Sequence, residues 1–451
     1  MTKQLTEKIH LSARGLLSKT REVFRKINEP PTGRKGNLKS IEIADCCMSA
    51  LAMFKLKFPS MLQFDKGQQE KPIKQNIQNL FKVKQVPCDT YMRERLDVIQ
   101  PKEIRPAFRV IFSALQRGKA LEKYVFLDGK YLLLSDGTGY FSSEKVRCKN
   151  CCVKHHKNGS TTYYHQFLGA VIAHPEHKEV IPLCPEPIMK EDGSDKNDCE
   201  RNASERLLRD FRKEHPHLPV VLAEDALAAN GPHLKLLKKL NISHITVVKP
   251  DGNKSLFDWV KDFSWKAENR TECQGEISFI CAEEKTHTIR FINQVPLNNA
   301  HSDFTVNFLE YWVTDKKGKT YHNTWVTDIP INKENAYTIA KGGRARWRIE
   351  NETFNTLKNQ DYHFEHNFGH GKENLSTVLA MLMMLAFLID QSEQMCCFLF
   401  QGALRAQHST KLYLWDRIRI LFKGYLITCW EALYKAIIAK NNREFPILDS
   451  S

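Results

Sequence analysis

The sequence predicts an α/β protein whose core is interrupted by an all-β insertion and flanked by helical regions at both ends. Three observations carry this: apolar residues at helical spacing up to about residue 115, alternating strand and helix patterns from Tyr131 to Lys249, and four alternating or aromatic-rich segments between Glu276 and Thr327. At 451 residues the chain is longer than one hydrophobic core usually serves, and its 42% hydrophobic content is ample for a large core with an appended module. The expected boundaries are 1–118 for a basic helical N-terminal domain, 119–265 for the first part of the core, 266–330 for the β insertion, 331–395 for the rest of the core, and 396–451 for a C-terminal helical region.

In the N-terminal region, Ile41 to Phe58 and Glu103 to Gln116 have helical periodicity. Pro30, Pro31, Thr32 and Gly33 separate one helix from the next, and Lys66 to Lys71 reads as a polar loop. The period changes after residue 124. Tyr131 to Ser135 is a strand expected to end at Asp136, and Tyr163 to Ala173 with Glu179 to Leu183 reads as a hairpin. Then come a helix, Ala203 to Lys213, a buried strand, Pro219 to Ala223, a second helix, Pro232 to Leu240, and a strand, Ile245 to Lys249, the alternation of an open α/β sheet. Strands are expected at Glu276 to Cys281, Thr288 to Val295, Thr305 to Val313 and Thr320 to Thr327, with Lys316 to Lys319 as a hairpin turn. Helical pattern resumes near Lys333. The apolar run Leu375 to Ile389 stops at Asp390, short of the roughly 20 residues a bilayer requires, and reads as a core helix. Long helices over Leu375 to Phe400 and Leu412 to Ala439 either complete the core or supply a dimer contact.

Charge gives the first functional clue. The chain holds 67 Lys+Arg against 52 Asp+Glu, a net +15, and counterion release favours such a surface on a polyanion. Residues 1–40 concentrate the excess, with Lys3, Lys8, Arg14, Lys19, Arg21, Arg25, Lys26, Arg34, Lys35 and Lys39 against Glu7, Glu22 and Glu29. A solvated helix face explains such a run equally well. The thirteen cysteines are an odd, scattered set and no leader pattern opens the chain, so a reducing cytoplasm is expected, with no membrane association.

Three acidic positions stand out. Asp136 opens Asp-Gly-Thr-Gly-Tyr, where glycine leaves the carboxylate unobstructed, and Asp225 terminates an apolar strand, where open sheets place ligands. Each aspartate, taken alone, also suits a turn or a helix cap. The third element is Arg344-Ala-Arg-Trp-Arg-Ile-Glu-Asn-Glu-Thr-Phe-Asn-Thr-Leu-Lys358, in which a helix would bring Arg346, Glu350 and Lys358 toward one side. Carboxylates from two strands and a helix suit a pair of hard cations that activate one phosphodiester oxygen and stabilise another, while arginine and lysine hold phosphate. An amphipathic helix rich in ion pairs would show the same spacing.

With these residues in this order, the sequence resembles bacterial DDE-type insertion-sequence transposases, in the group with a ribonuclease H-like core and a β insertion before the final acid. The resemblance covers roughly residues 120–390: Asp136 in an Asp-Gly-Thr context, Asp225 after 89 positions, and Glu350 after a further 125. It implies a catalytic set of Asp136, Asp225 and Glu350 holding two Mg²⁺ or Mn²⁺ per active site. It also implies phosphate or DNA contact by Arg346, Arg348 and Lys358. Trp325 and Trp347, with Trp312, become candidates to hold a flipped base, although a lone tryptophan is more often core. The implied activity is cleavage at the terminal inverted repeats followed by attack of the freed 3′-hydroxyl on the second strand or target DNA. Implied partners are double-stranded DNA and a second copy of the chain. The family's helix signature is a tyrosine, then arginine, glutamate and lysine. Here Gly343 takes the tyrosine position and Lys358 falls one residue late, so Glu352, spaced from Arg348 as Glu350 is from Arg346, rivals Glu350.

Cys148 and Cys151 form a CxxC with Cys152, His155, His156 and His165 close behind, a possible zinc site whose second ligand pair is not evident; Cys184 and Cys199 lie further on. His363, His366 and His370 follow the acidic helix and suit phosphate contact or a helix-ending loop better than a metal. Asp198-Cys-Glu-Arg201 and Asn230-Gly-Pro232 read as a helix cap and a turn. The alternative function is an inactive or domesticated zinc-stabilised DNA-binding protein or repressor, which explains the charge and the CxxC but not the ordered acids.

Overall fold

The computed structural model describes residues 10–29, 40–189, 199–262, 274–281, 283–298, 304–406 and 410–439. Lys3, Lys8, Arg34, Lys35 and Lys39 of the basic run, the break at Pro30 to Gly33, and Asp198 lie outside the described residues.

Among the described residues six helices come first: α1 (Ala13–Phe24), α2 (Ile43–Lys55), α3 (Met61–Gly67), α4 (Lys71–Phe81), α5 (Asp89–Asp97) and α6 (Pro101–Arg117). The polar loop expected at Lys66 to Lys71 shrinks to residues 68–70. Every residue of α2 is buried, because α2 lies between its neighbours and the later helix α12 (Leu375–Cys396). That helix also packs on α1, α5 and α6, so the N-terminal helices share one continuous core with the end of the chain. At 22 residues α12 is longer than its apolar run suggested, and long and apolar enough to cross a membrane. Its apolar stretch is nonetheless wholly buried inside the protein.

A mixed sheet follows. Its strands are β1 (Val125–Leu127), β2 (Lys130–Ser143), β3 (Cys152–His155), β4 (Thr161–Ala173), β5 (Ile181–Pro182), β6 (Glu186–Ile188), β7 (Val220–Glu224), β8 (Ser243–Val247), β9 (Gln274–Ile280), β10 (Thr286–Pro296), β11 (Thr305–Thr314) and β12 (Thr320–Thr327). The order is β3-β4-β2-β7-β8-β12-β11-β10-β9. β2, β7 and β8 run parallel, joined through α7 (Glu200–Glu214) and α8 (Gly231–Lys239), and the other pairs are antiparallel. A further helix, α9 (Lys254–Asp262), precedes β9. The β-rich segment is a meander of four antiparallel strands that joins the sheet through β12 and β8, with Trp325 opposite Val247.

The chain then forms α10 (Ala336–Arg344), a π-helical turn over Ile349–Phe354, and α11 (Asn355–Asn359). After α12 come α13 (Phe398–Ala406), α14 (Lys411–Gly424) and α15 (Trp430–Ile438). The two long C-terminal helices expected from periodicity are therefore each broken in two, at Cys397 and across residues 425–429.

Two features lock these parts together. Trp325, fully buried, fills the space beside Gly343: a Cβ at Gly343 would stand 2.4 Å from the indole Nε1. Gly343→Ala is accordingly expected to cost about 1–3 kcal/mol by overpacking, read as a lower urea midpoint with unchanged slope. Under the helices, Lys55 and Lys57 are buried against α12, each ammonium 2.6 Å from an Asp390 carboxylate oxygen. Lys55 also pairs with Glu393, Tyr362 donates to Asp390, and Tyr434 donates to Glu393 at 2.7 Å.

Candidate functional site

The parallel pairing of β2 with β7 sets the site. Leu134 lies opposite Ala223, an offset of 89 residues, and the side chains of Ser135 and Glu224 meet at 3.2 Å with the same offset. Asp136 and Asp225, separated by the same 89 positions, follow just beyond the end of the parallel ladder and line one cavity. β2 itself does not end at Asp136. It continues to Ser143 because β4 is long enough to accompany it, with Asp136 opposite Gly169 and a bulge between Gly139 and Phe141. The aspartate thus projects from a strand held on one side only.

Above Asp136 lies the segment that follows α10. Arg346 Nη1 donates to Asp136 Oδ2 at 3.0 Å and Nη2 to Glu350 Oε1 at 2.8 Å, so one guanidinium bridges two of the three expected acids. Burial pushes the Asp136 carboxyl up to about 6; Arg346 opposes the rise, and Glu350, within hydrogen-bonding reach, adds to it. Glu350 sits on the π-helical turn, whose Phe354 packs edge-on against Phe167 of β4. Widened turns of this kind recur at functional sites, and the spacing of a regular helix does not reveal them. Glu352 is not part of this arrangement: its charge acts on Lys411 at the start of α14.

Asp225 Oδ1 accepts from the Leu227 amide at 3.0 Å, so it is also the cap expected of a lone aspartate. A cavity of about 500 Å³ opens beside it, lined by Asp136, Asp225, Glu200, Glu224, Asn230 and Lys235 among others. Glu200, at the start of α7, is the acid that sequence reasoning missed. Its carboxylate lies over Gly137, where a Cβ would come within 2.2 Å of it, and burial together with Asp225 raises its pKa. Its sequence context was read as a cap, and nothing in local spacing shows that α7 will bring it back over β2. Beneath the cavity, Glu224 accepts from His233 Nε2 at 2.7 Å; burial disfavours the imidazolium, but that carboxylate outweighs it and raises the His233 pKa. Asn230, whose segment reads as a turn, is an N-cap, its Oδ1 accepting from the His233 amide.

Several expected contacts are placed elsewhere. Trp325 is core and presents no surface to DNA, because β12 lies inside the sheet under Gly343. Arg348 donates to the carbonyls of His177, at 2.6 Å, and Pro175, which turns it away from Asp136. Lys358 pairs with Glu365 at 2.8 Å, because the π-helical turn breaks the single helical face that Arg346, Glu350 and Lys358 were expected to share. Trp347 is 44% exposed, beside Arg348, and Trp312 stacks on His322.

A second cluster lies across β2 and β4. Cys148, Cys151, His165 and His370 bring one donor atom each to within 4.8 Å of one another. The donors that meet the Cys148–Cys151 pair are thus His165 and, from the later histidine group, His370. Cys152 turns to the Ile188 carbonyl, and His155 and His156 to Thr161 and Thr162. Cys184 meets the Pro185 carbonyl, and Cys199 is the exposed N-cap of α7.

Fold and site together define a mixed α/β protein with a carboxylate-rich, arginine-bridged centre at the end of its parallel strands. No protein-family model matches the chain, and no curated protein does. Among solved structures, a chain in the cryo-EM structure of a piggyBac transposase synaptic complex with hairpin DNA aligns with 98% of this chain and 82% of its own length, at 9% identity and a TM-score of 0.40. A likeness that distant establishes neither fold nor function for this chain.

Proposed function

We propose that this chain is a DDE-type DNA transposase with a ribonuclease H-like core, and that Asp136, Asp225 and Glu350 are its catalytic acids. The observation that supports the reading is that Asp136 and Asp225 line one cavity beyond the end of the β2–β7 ladder, and that Arg346 ties Asp136 to Glu350 from a segment 210 residues later. Open α/β sheets bind ligands in the crevice beyond the carboxyl ends of their strands, where these acids lie.

The donor set is carboxylate oxygen throughout, which fits hard divalent cations such as Mg²⁺ or Mn²⁺ and not soft ones. Bound there, such cations supply activation of the attacking oxygen and stabilisation of the leaving oxygen in phosphodiester cleavage. Asp136, Asp225 and Glu350 would hold them, with Glu200 close enough to add a fourth carboxylate. Arg346 balances Asp136 and Glu350 in the free protein and has the planar donor fork to take a phosphate when DNA arrives. The net charge of +15 favours DNA binding over the whole surface.

The test is cleavage of labelled DNA carrying the ends of the encoding element, with Mg²⁺ or Mn²⁺ and with chelator. Alanine at Asp225 or Glu350 is expected to remove nicking while DNA binding persists, and alanine at Glu352 is expected to leave it near wild type. Binding to the ends without metal-dependent nicking in the wild type would favour the repressor alternative. Nicking that survives at Glu350 and fails at Glu352 would reverse the assignment of the third acid.

A further inference from the structure

We infer that Cys148, Cys151, His165 and His370 form a closed structural zinc site that fastens the loop after the acidic segment to the strands bearing Asp136. A tetrahedral zinc with about 2.3 Å bonds to sulfur and about 2.0 Å to nitrogen separates its ligands by roughly 3.8 Å between sulfurs and roughly 3.5 Å between sulfur and nitrogen. The two sulfurs here stand 3.8 Å apart. Cys148 lies 3.3 Å from His165 Nε2, and Cys151 lies 3.4 Å from His165 Nε2 and 3.1 Å from His370 Nε2. These four separations match four of the six edges of such a tetrahedron, the other two being within 4.8 Å, and the sulfurs are too far apart for a disulfide.

Burial argues for the same role. Cys151 and His165 are each 1% exposed and His370 is 9% exposed, with Cys148 half-buried at the edge, so three of the four donors are shut away and all four positions would be filled by protein. Two thiolates and two imidazoles select zinc over magnesium, whereas the carboxylates around Asp136 suit hard cations, so the two centres differ in the metal they favour.

The ligands come from three places. Cys148 and Cys151 belong to the turn after β2, His165 to β4, and His370 to the loop between α11 and α12. Neighbouring bonds hold the same junction: Asn150 donates to the Glu373 carbonyl at 2.7 Å, and the Asp97 carboxylate accepts from the amides of Lys372, Glu373, Asn374 and Leu375. Zinc would therefore fix where the chain goes immediately after Glu350 and Lys358. The site stands independently of strand-transfer activity and is tested without DNA.

Full-length protein purified under reducing conditions is expected to carry about one zinc per chain by elemental analysis. Cobalt exchanged for it is expected to show tetrahedral d–d bands and thiolate-to-cobalt charge transfer. Cys148→Ser and His370→Asn are each expected to lose most of the zinc, whereas Cys152→Ser, whose sulfur faces away, retains it. Should the ligand variants fail to fold, the cobalt spectrum of the wild type decides alone. Wild-type protein that takes up well under half an equivalent after zinc reconstitution, cobalt lacking thiolate charge transfer, or full zinc in Cys148→Ser would each overturn the assignment.

Discussion

Asp136→Asn is expected to reduce metal-dependent DNA nicking by about a thousandfold or more, equivalent to about 4 kcal/mol of barrier, while leaving the protein at least as stable as the wild type. The loss follows from removing a charged donor at the centre of the proposed acidic site. The stability follows from burial, which raises the Asp136 carboxyl from its ordinary 3.8 to about 6 even with Arg346 beside it. A carboxyl whose pKa is raised on folding stabilises the fold fully below 3.8 and loses that contribution as pH climbs through about 6. At neutral pH the ionised aspartate is therefore a burden, and an uncharged amide of the same shape relieves it by about 1–3 kcal/mol. The gain should be visible in thermal melts at pH 7.5 and vanish near pH 4. An Asn variant that melts earlier at neutral pH, or nicks at the wild-type rate, would show that Asp136 is an ordinary structural partner of Arg346. Sites kept for chemistry at a cost in stability are a general pattern.

Asp390→Ala should have the largest effect on stability, about 3–5 kcal/mol, because it strands the buried Lys57 and takes one of two carboxylates from the buried Lys55. Lys55 and Lys57 both reach Asp390 at 2.6 Å, and only Lys55 has a second carboxylate, Glu393. Burial already brings Lys57 down to about 7, against the pull of Asp390. A lysine lowered on folding binds fewer protons in the native state, so its contribution to stability rises with pH from about 7 toward its ordinary 10.5. Without Asp390 that dependence should steepen and begin at lower pH. Urea unfolding across pH 6 to 9 measures both, with Asp390→Asn keeping the shape if the alanine variant does not accumulate. A loss under about 1 kcal/mol would mean that water reaches these ammonium groups and that the cluster is not sealed.

Much of the architecture was legible because its signals are local. The alternations at Thr305 to Val313 and Thr320 to Thr327, and the helical period of Glu103 to Gln116, became β11, β12 and α6 nearly residue for residue. What sequence could not show depends on partners far along the chain. Asp136 looked like a strand end because Gly137 and Gly139 follow it, yet β4 carries the strand on for seven more residues. Trp325 looked available until Gly343 was seen to lie against it. Lys358 left the proposed face because a π-helical turn intervenes, and no side-chain pattern announces that turn. The Cys/His cluster is the extreme case, since His370 is 219 residues from Cys151 and belongs to what read as a separate histidine group. Glu200 was hidden in the same way: its role rests on where α7 lands.

The central position of α12 also constrains the order in which the protein can be made. Helices α1, α2, α5 and α6 emerge from the ribosome first, yet the surface they bury belongs to a helix nearly 260 residues beyond the last of them, and Asn76 waits longer still for the backbone of Phe422, Tyr425 and Ile427. With so many distant contacts, folding is expected to be slow and to finish only when almost the whole chain is available. A product cut short before α12 would then expose the apolar faces of its N-terminal helices and aggregate. It would not persist as a free-standing competitor for whatever the complete protein binds.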